Sequence, residues 1–436
     1  MIGVLSFLFI CIVAFEYIQN TERGIFLYLV LSIFAPYVTI ASFIFRIELV
    51  ATPLLFLIMI LKKRNSIKLT FSFLIWLLFI FYCLVVSFLN NLKSYNSDVN
   101  YIIIFNYFRF SALILIGANF NQSKITLLNW KKYFFLTSIP ISILAFGVLS
   151  QNGLANWITS NFYTSPTRSV YSSQIDTLDM GFIFRSIGVF ENVSYFATYI
   201  LVVLVIGFSF LIMGEKSPIK RSLVIYVLII NFLAGISTSS MTFYVGFIII
   251  VFYYFFKRPI YTLKSLIFLT IIVVILGTVF WERIQESLQS YIDVFNYLFT
   301  SFLEGNKLSG RYLLSNRETG DLSLIFKDTW IFGNGFRYYD NLVVNDSLYL
   351  EFFYVGGIVG SLILLCFIFS IFYYSIKSKV AKDHKIYHIF IILFIAGVGC
   401  NSFFIPRLSD WLWILIGINS SLLFEKRKIS VTNKIF

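Results

Sequence analysis

Apolar residues run along most of this chain in long blocks that are separated by short polar stretches. About 20 apolar residues make a helix that crosses a bilayer, and in lipid every backbone polar group must be paired within its own segment. The pattern therefore predicts an all-α polytopic membrane protein with 12 or 13 transmembrane helices. The second and third of the predicted spans could instead form one re-entrant hairpin. The spans are 2–19, 24–44, 47–61, 69–90, 101–120, 133–150, 188–213, 222–236, 240–256, 264–281, 347–376, 386–404 and 410–424.

Composition agrees with this pattern. Hydrophobic residues make up 59% of the 436 residues and charged residues only 13%, whereas a soluble domain has about 25% charged residues. The first residues, MIGVLSFLFICIVAF, have no basic region and no small-residue cleavage site, so they predict a first membrane helix rather than a removed signal peptide. The four cysteines lie scattered in apolar blocks and predict packing residues without a disulfide framework.

The net charge of +13 is distributed unevenly between the two sets of loops. The short loops of one alternating set, with the C-terminal tail, hold 21 basic residues, and the longer loops of the other set hold ten. Short loops rich in lysine and arginine are cytoplasmic. The charge therefore predicts a cytoplasmic C-terminus, and it gives no reason to expect a nucleic-acid partner.

Two long polar loops, about 151–187 and 282–346, fall on the opposite, external side. Long loops on a membrane scaffold are usually functional, so we expect them to form the catalytic face of a single transmembrane domain covering 1–436. Seven of the ten external basic residues are arginines. The arginine fork grips phosphate or carboxylate in a bidentate way, so the arginines predict an anionic ligand, with pairing to external Asp and Glu as the alternative.

Several catalytic devices are missing from the sequence. The only histidines, His384 and His388, fall at the predicted cytoplasmic loop 377–388, so an external Ser-His-Asp or Cys-His device is excluded. No metal-binding motif and no GxxxxGK[ST] sequence is found. An external reaction must therefore use Arg, Asp, Glu, Tyr or Ser, which favours transfer from an already activated substrate without a metal or cofactor.

Three stretches stand out before the last external motif. Arg185 leads a stretch into a span, where it could bind a lipid-linked phosphate or simply anchor the helix at the interface. A small polar turn, 235–242, joins two spans and favours close helix packing. Gly333 and Gly335 form a Gly-x-Gly sequence that permits a tight backbone turn.

Three further candidates are charged residues at or inside predicted spans. Asp346 or Asn345 is well placed to cap the following helix, and Asp346 could instead act in catalysis. Glu351 lies one turn further on, where an acid inside a span costs roughly 2–3 kcal/mol. Arg109 lies midway along another span, with Asn106 on the same face. It must face a polar cavity or an acidic partner, so ligand binding and a structural ion pair both remain open.

The order of these features resembles the O-antigen polymerase/O-antigen ligase superfamily, which includes the Wzy-type polymerases. An Arg-x-x-Gly-x-Phe-x-Asn stretch enters a span, and a Ser-rich turn follows. A long external loop then carries Gly-Arg and Gly-x-Gly and ends in Asn-Asp-Ser-x-Tyr-Leu-x₅-Gly-Gly-Ile-x-Gly. The resemblance covers about 180–365 by motif and the whole chain by topology. This chain departs from the family at Asn345-Asp346, where His-Asn is common, and at Met241, where Arg is common.

The resemblance implies a GT-C-like glycosyltransferase of the bacterial inner membrane with a periplasmic active face. Its reaction would be inverting, metal-independent and cofactor-free, and would join undecaprenyl-diphosphate-linked oligosaccharides. Membrane lipid is an implied partner, and a chain-length regulator is a further candidate. Asp346 and Glu351 are the implied catalytic residues. The implied diphosphate-binding residues are Arg185, Arg311, Arg317, Arg109 and Arg337. The alternatives are an O-antigen ligase, which joins the polymer to lipid A-core, and a flippase or transporter of lipid-linked sugars.

Overall fold

The computed structural model is mostly helical. It describes residues 2–40, 43–63, 66–93, 99–120, 124–150, 152–163, 187–213, 217–238, 240–257, 330–336 and 347–422. The helices in these residues are α1 (Ile2–Gln19), α2 (Thr21–Phe34), α3 (Glu48–Lys62), α4 (Phe71–Lys93), α5 (Tyr101–Ala118), α6 (Lys124–Leu149), α7 (Gly153–Phe162), α8 (Val193–Met213), α9 (Arg221–Ser237), α10 (Met241–Lys257), α11 (Leu348–Lys377), α12 (Lys379–Asp383), α13 (Ile386–Ala396) and α14 (Ser409–Ser421). Two short strands, β1 (Tyr37–Ile40) and β2 (Phe43–Arg46), pair antiparallel between α2 and α3.

Five helices in the described part of the chain are long and apolar enough to cross a membrane. They cover Phe71–Asn90, Tyr101–Ala118, Thr126–Leu149, Val193–Ile212 and Leu348–Lys377. Shorter apolar helices cover Ser6–Gln19, Arg221–Ser237, Met241–Tyr254 and Ile386–Ala396. Many large apolar side chains, such as Phe7 and Phe256, remain exposed on helix surfaces. The prediction of a mostly helical, multi-pass membrane protein is thereby confirmed. The predicted span 264–281 lies outside the described residues, as does most of the predicted loop 282–346.

The predicted span 24–44 is wrong in its second half, because α2 ends at Phe34. Pro36 explains the end of the helix. A residue that precedes proline is driven out of the helical region, and Ala35 accordingly has an extended ψ of 126°. The chain then enters β1, whose Tyr37 pairs with Arg46 of β2. A short pair of antiparallel strands therefore lies between α2 and α3.

Other boundaries also differ from the predicted spans. The helix α6 begins at Lys124 instead of 133, so Lys131 lies within a helix rather than in a loop. Its side chain is buried, and Nζ donates to the carbonyl oxygen of His384 at 3.1 Å. The predicted loop 151–187 contains α7 at its start, and α13 ends at Ala396 instead of 404.

Contacts divide the chain into two compact units, 1–134 with 311–436, and 135–310. In the first unit α14 packs along α5, and the two helices run parallel. A β-carbon at Gly117 would lie 2.3 Å from the Ile414 carbonyl oxygen, and one at Gly417 would lie 2.1 Å from the Ile114 carbonyl oxygen. Small residues thus allow the two backbones to touch. The prediction of a single transmembrane domain stays a prediction.

The same unit contains an antiparallel pair, α4 and α11. The hydroxyls of Ser72 and Ser370 hydrogen bond at 2.8 Å near one end of the pair. Further along, a β-carbon at Gly360 would lie 3.2 Å from the ring of Tyr82, so this helix face also depends on a small residue. Hydrogen bonds between hydroxyls and close small-residue contacts are the usual means of joining helices in lipid.

The second unit contains most of α6 with α7–α10. The buried Asn231 of α9 donates to Ser138 Oγ at 2.9 Å and accepts from Ser142 Oγ at 3.1 Å, which links α9 to α6. At the Ser-rich turn between α9 and α10, a β-carbon at Gly235 would lie 2.0 Å from the Phe243 ring. This turn therefore has a packing role, as the sequence favours.

Candidate functional site

A buried carboxylate, Glu351, lies on the first turn of α11. Both of its oxygens accept hydrogen bonds. The Tyr107 hydroxyl donates to Oε1 at 3.2 Å, and the Asn401 side-chain amide donates to Oε2. A buried charge is tolerated when it is paired or hydrogen-bonded. These two donors therefore explain how an acid is accommodated at the start of a spanning helix.

Aromatic rings hold Tyr107 in a fixed orientation. Its ring stacks on Trp76, with centroids 5.3 Å apart and planes at 14°, and on Phe404 at 5.0 Å and 29°. The ring of Phe336 meets it edge-on at 5.0 Å. Offset-stacked and edge-to-face rings at these distances are mutually attractive. The hydroxyl of Tyr107 is thus aimed at Glu351 by packing from three sides.

The helix α11 is broken at Gly357, where φ is 59° and ψ is −158°. A break inside a spanning helix frees backbone groups that lipid cannot satisfy. The segment 330–336 supplies the partners. The amide of Ile358 donates to Trp330 O at 2.9 Å, and that of Val359 donates to Ile331 O at 3.1 Å.

The same segment also donates back to α11 just before the break. The amide of Asn334 donates to Tyr354 O at 2.8 Å, and that of Gly335 donates to Val355 O at 2.9 Å. Four backbone hydrogen bonds therefore join the segment 330–336 to the two sides of the break.

Both glycines of the Gly-x-Gly sequence lie too close to neighbouring helices to carry a side chain. Gly333 and Gly335 have φ of 81° and 70°, a region that favours glycine. A β-carbon at Gly335 would lie 2.3 Å from Ser87 Oγ. That hydroxyl accepts from the Phe336 amide at 2.6 Å, and the Tyr82 hydroxyl donates to Phe332 O at 2.8 Å. The predicted loop glycines therefore dock against α4 as well as α11.

Arg109 forms a buried ion pair with Asp410 at the start of α14. The Nη1–Oδ1 distance is 2.8 Å, and 1% of each side chain is exposed. The Tyr28 hydroxyl donates to the other carboxylate oxygen and lies 2.8 Å from Thr52 Oγ1. The sequence left a polar cavity and an acidic partner open as surroundings for Arg109. The structure provides the acidic partner, which is Asp410. A role for Arg109 in diphosphate binding stays a prediction.

Further charges surround this pair. Arg46 Nε lies 3.4 Å from Glu48 Oε1, and Arg407 donates to the Ala35 carbonyl at 3.0 Å, at the end of α2. Burial lowers the pKa of Arg46, the Glu48 carboxylate raises it, and the charges of Arg109, Asp410 and Arg407 act on it as well. Three arginines and two carboxylates therefore form one interacting cluster. Arg407 has a φ of 70°, which is unusual for a residue with a side chain.

The N-cap of α11 is Ser347, not the predicted Asn345 or Asp346. Its hydroxyl donates to the Gly397 carbonyl at 3.2 Å instead of capping the helix. Asp346 itself lies outside the described residues. So do Arg185, Arg311, Arg317 and Arg337.

Comparison with known proteins gives no matching family model, curated protein or solved structure. The function is therefore argued from the motifs and the geometry of the chain itself. Among the described residues, no group of three or more His, Cys, Asp or Glu is arranged to hold a metal ion.

Sequence reasoning did not identify the partners of Glu351 and Arg109. Nothing in the sequence distinguishes Tyr107 from the rest of the 27 tyrosines. Asn401 falls inside the predicted span 386–404, where the sequence gives no sign that it contacts another helix. Asp410 carried a usable signal, since it is an acid at the first position of the predicted span 410–424. An intramembrane acid is expensive and requires a partner, so Asp410 could have been matched to Arg109.

Proposed function

We propose that this chain is an inner-membrane glycosyltransferase that polymerises undecaprenyl-diphosphate-linked oligosaccharide repeat units on the periplasmic face. The order of motifs along the sequence supports this function, and two contacts made by one side chain add the most support. Tyr107 touches both Phe336 and Glu351. These two residues lie on either side of the segment 337–346, which contains Arg337 and Asp346.

These contacts matter because the residues on both sides of the segment 337–346 are held in place, and that segment bears charges of both signs. Phe336 is held by Ser87, and Ser347 is held by the Gly397 carbonyl. A transferase acting on a diphosphate donor needs cations for the leaving group and a base for the acceptor, both within reach of one substrate. A ten-residue segment anchored at both ends and followed by a buried carboxylate suits that requirement.

In the proposed reaction, a hydroxyl oxygen of the incoming repeat unit attacks the anomeric carbon of the growing chain. The bond between that carbon and the diphosphate breaks, and undecaprenyl diphosphate leaves with the bonding electrons. Asp346 takes the proton of the attacking hydroxyl. Arg185, Arg311, Arg317 and Arg337 stabilise the leaving diphosphate through bidentate hydrogen bonds. No metal or cofactor is required by this scheme.

The decisive experiment replaces Asp346 by Asn, with Asp340→Asn in the same segment as a matched control. An amide cannot take a proton, so D346N should abolish polymer in gels of surface polysaccharide while protein abundance stays unchanged. D340N should give normal ladders. Full-length polymer from D346N would remove Asp346 as the base and make Glu351 the next candidate.

The phenotype of a deletion strain separates the alternatives. A single repeat unit on lipid A-core indicates a polymerase. Polymer that is not attached to lipid A-core indicates a ligase, and the loss of all surface repeats indicates a flippase.

The arginines are tested by Arg185→Lys and Arg311→Lys, which keep the charge but remove the fork. Both variants should lose most polymer at normal protein level. The exchange Lys307→Arg, in the same predicted external loop as Arg311, is the control and should leave the ladders unchanged. Normal ladders from both lysine variants would reduce these arginines to interfacial anchors.

A further inference from the structure

A cavity of about 630 Å³ lies among α1, α2 and the start of α6, within the first unit. Its lining includes the polar residues Glu16, Asn20, Glu22 and Arg23 and the apolar residues Phe26 and Val30. None of them belongs to the site around Tyr107. Its volume falls within the roughly 300–1,000 Å³ of small-ligand sites.

The lining has a polar end and an apolar end. Glu16, Glu22 and Arg23 cluster around the turn between α1 and α2, where Asn20 caps α2. The apolar lining continues to Val30, ten residues further on, which is roughly 15 Å along a helix. The cavity therefore has a charged rim and an apolar floor. The distance between them matches a lipid headgroup together with the first part of its acyl chain.

The cavity is continuous with the apolar outer surface of α1. Ile12, which lines the cavity, is 52% exposed, and its neighbour Phe15 is 59% exposed. An exposed apolar helix face in a membrane protein is a lipid-facing one. A lipid can therefore enter from the side.

The charged groups of the rim are incompletely paired within the described part of the chain. The Glu16 carboxylate has no hydrogen-bond or ion-pair partner there, and the Arg23 guanidinium has no acidic partner. Within the described ranges, the Glu22 carboxylate accepts a hydrogen bond only from the Asn129 amide, at 3.3 Å. Two carboxylates and one guanidinium thus line the mouth of a cavity with an apolar floor.

We propose that this cavity binds a membrane lipid whose headgroup carries both a primary ammonium and a phosphate, the phosphatidylethanolamine class. The two carboxylates receive the ammonium, which has three hydrogen-bond donors. Arg23 receives the phosphate through its fork. The acyl chain covers Phe26, Leu27 and Val30. Among the lining residues carboxylates outnumber guanidinium groups, although the Lys62 ammonium lies nearby on the Tyr17 carbonyl. The lining itself therefore favours a headgroup that carries an ammonium over a purely anionic one.

The first test uses the unmodified, full-length protein in detergent. Phosphatidylethanolamine, phosphatidylcholine and phosphatidylglycerol of matched acyl chains are added together, and bound lipid is counted by native mass spectrometry. Phosphatidylethanolamine should be retained about tenfold or more over phosphatidylglycerol, because charge-assisted hydrogen bonds are lost without the ammonium. Phosphatidylcholine should fall between them, since its nitrogen is charged but cannot donate. Equal retention of the three lipids, or a preference for phosphatidylglycerol, would overturn the proposal.

The second test uses variants with matched controls at exposed positions of α12. E16Q/E22Q should lower phosphatidylethanolamine retention about tenfold, whereas Asp383→Asn should not. Arg23→Gln should weaken binding of both phosphatidylethanolamine and phosphatidylcholine, and Lys382→Gln is its control. Unchanged retention in a folded E16Q/E22Q variant would place the lipid elsewhere. If that variant fails to fold, the competition on the unmodified protein decides the question.

Discussion

Gly333 and Gly357 approach each other so closely that neither position has room for a side chain. A β-carbon on Gly333 would lie 2.5 Å from the Gly357 nitrogen, and one on Gly357 would lie 2.4 Å from the Gly333 nitrogen. Both residues also have positive φ, 81° and 59°. The break in α11 and the Gly-x-Gly segment therefore form one interlocked element.

The first prediction concerns this element. Gly357→Ala should lower the free energy of unfolding by about 1–3 kcal/mol, because a φ of 59° with a ψ of −158° is a backbone region that only glycine adopts readily, and the clash adds to that cost. The measurement is the thermal unfolding midpoint of the purified protein in detergent. Gly153→Ala is the control, because nothing lies within 4 Å of its β-carbon position. Equal midpoints for Gly357→Ala and the unmodified protein would contradict the interlock.

The second prediction concerns the Arg109–Asp410 ion pair. Removing one partner of a buried pair costs about 3–5 kcal/mol, because the other charge is left uncompensated. Arg109→Gln and Asp410→Asn should therefore each lower protein abundance and the unfolding midpoint. The double variant should be more stable than either single variant, since it leaves no unpaired charge.

Polysaccharide gels of the same three variants separate structure from substrate binding. If Arg109 acts only through Asp410, the double variant should recover polymer together with protein. Recovered protein without polymer would instead support the predicted role of Arg109 in diphosphate binding.

The third prediction concerns Glu351. Gln has the same shape, and it can accept from Tyr107 while donating to Asn401, whose Oδ1 has no hydrogen-bond partner among the described residues. Asn401 needs only to rotate its amide. Glu351→Gln should thus keep normal protein abundance and isolate the effect of removing the charge.

Tyr107→Phe is the companion variant, because it keeps the ring stack and removes the hydroxyl. If Glu351 takes part in catalysis, Glu351→Gln should lose polymer by an order of magnitude or more, and Tyr107→Phe should lose less. Normal ladders from Glu351→Gln would leave the carboxylate with a structural role alone.

The fourth prediction tests topology by labelling introduced cysteines in spheroplasts with an impermeant thiol reagent. Cys11 and Cys366 are exposed and should first be replaced by Ala. Leu154 of α7 is 67% exposed, and Lys382 of α12 is also exposed. Leu154→Cys should react, because the basic residues predict an external loop there, and Lys382→Cys should not. The reverse labelling would show that the predicted topology is inverted, and the proposed active face would then not be periplasmic.

The sequence predicts the spans well where composition alone decides the structure. Apolar blocks predicted α1, α4, α5 and α8 to within a few residues, because a helix is the only way for a single segment to satisfy its backbone in lipid. The prediction failed at 35–46. There Pro36 stops the helix while the residues remain apolar, so hydropathy does not register the change to strands.

The site was predicted in part. The sequence indicates that Glu351 and Arg109 need partners, but not which ones, because local periodicity contains no information about contacts between distant segments. The same limit applies to the glycines. Gly333 and Gly357 each indicate an unusual backbone, whereas only the structure shows that each glycine makes room for the other.

The pairing of α5 with α14 also sets an order of events during synthesis. Arg109 and Asp410 are 301 residues apart. At about 5–20 residues per second, Arg109 is made roughly 15–60 s before its partner. Throughout that interval the Arg109 guanidinium lacks the carboxylate that hydrogen bonds to it in the folded chain. A chain truncated before α14 would keep Arg109 without Asp410. We expect quality-control proteases to degrade such a chain. Synthesis of α14 is therefore the step that supplies the missing partner of Arg109.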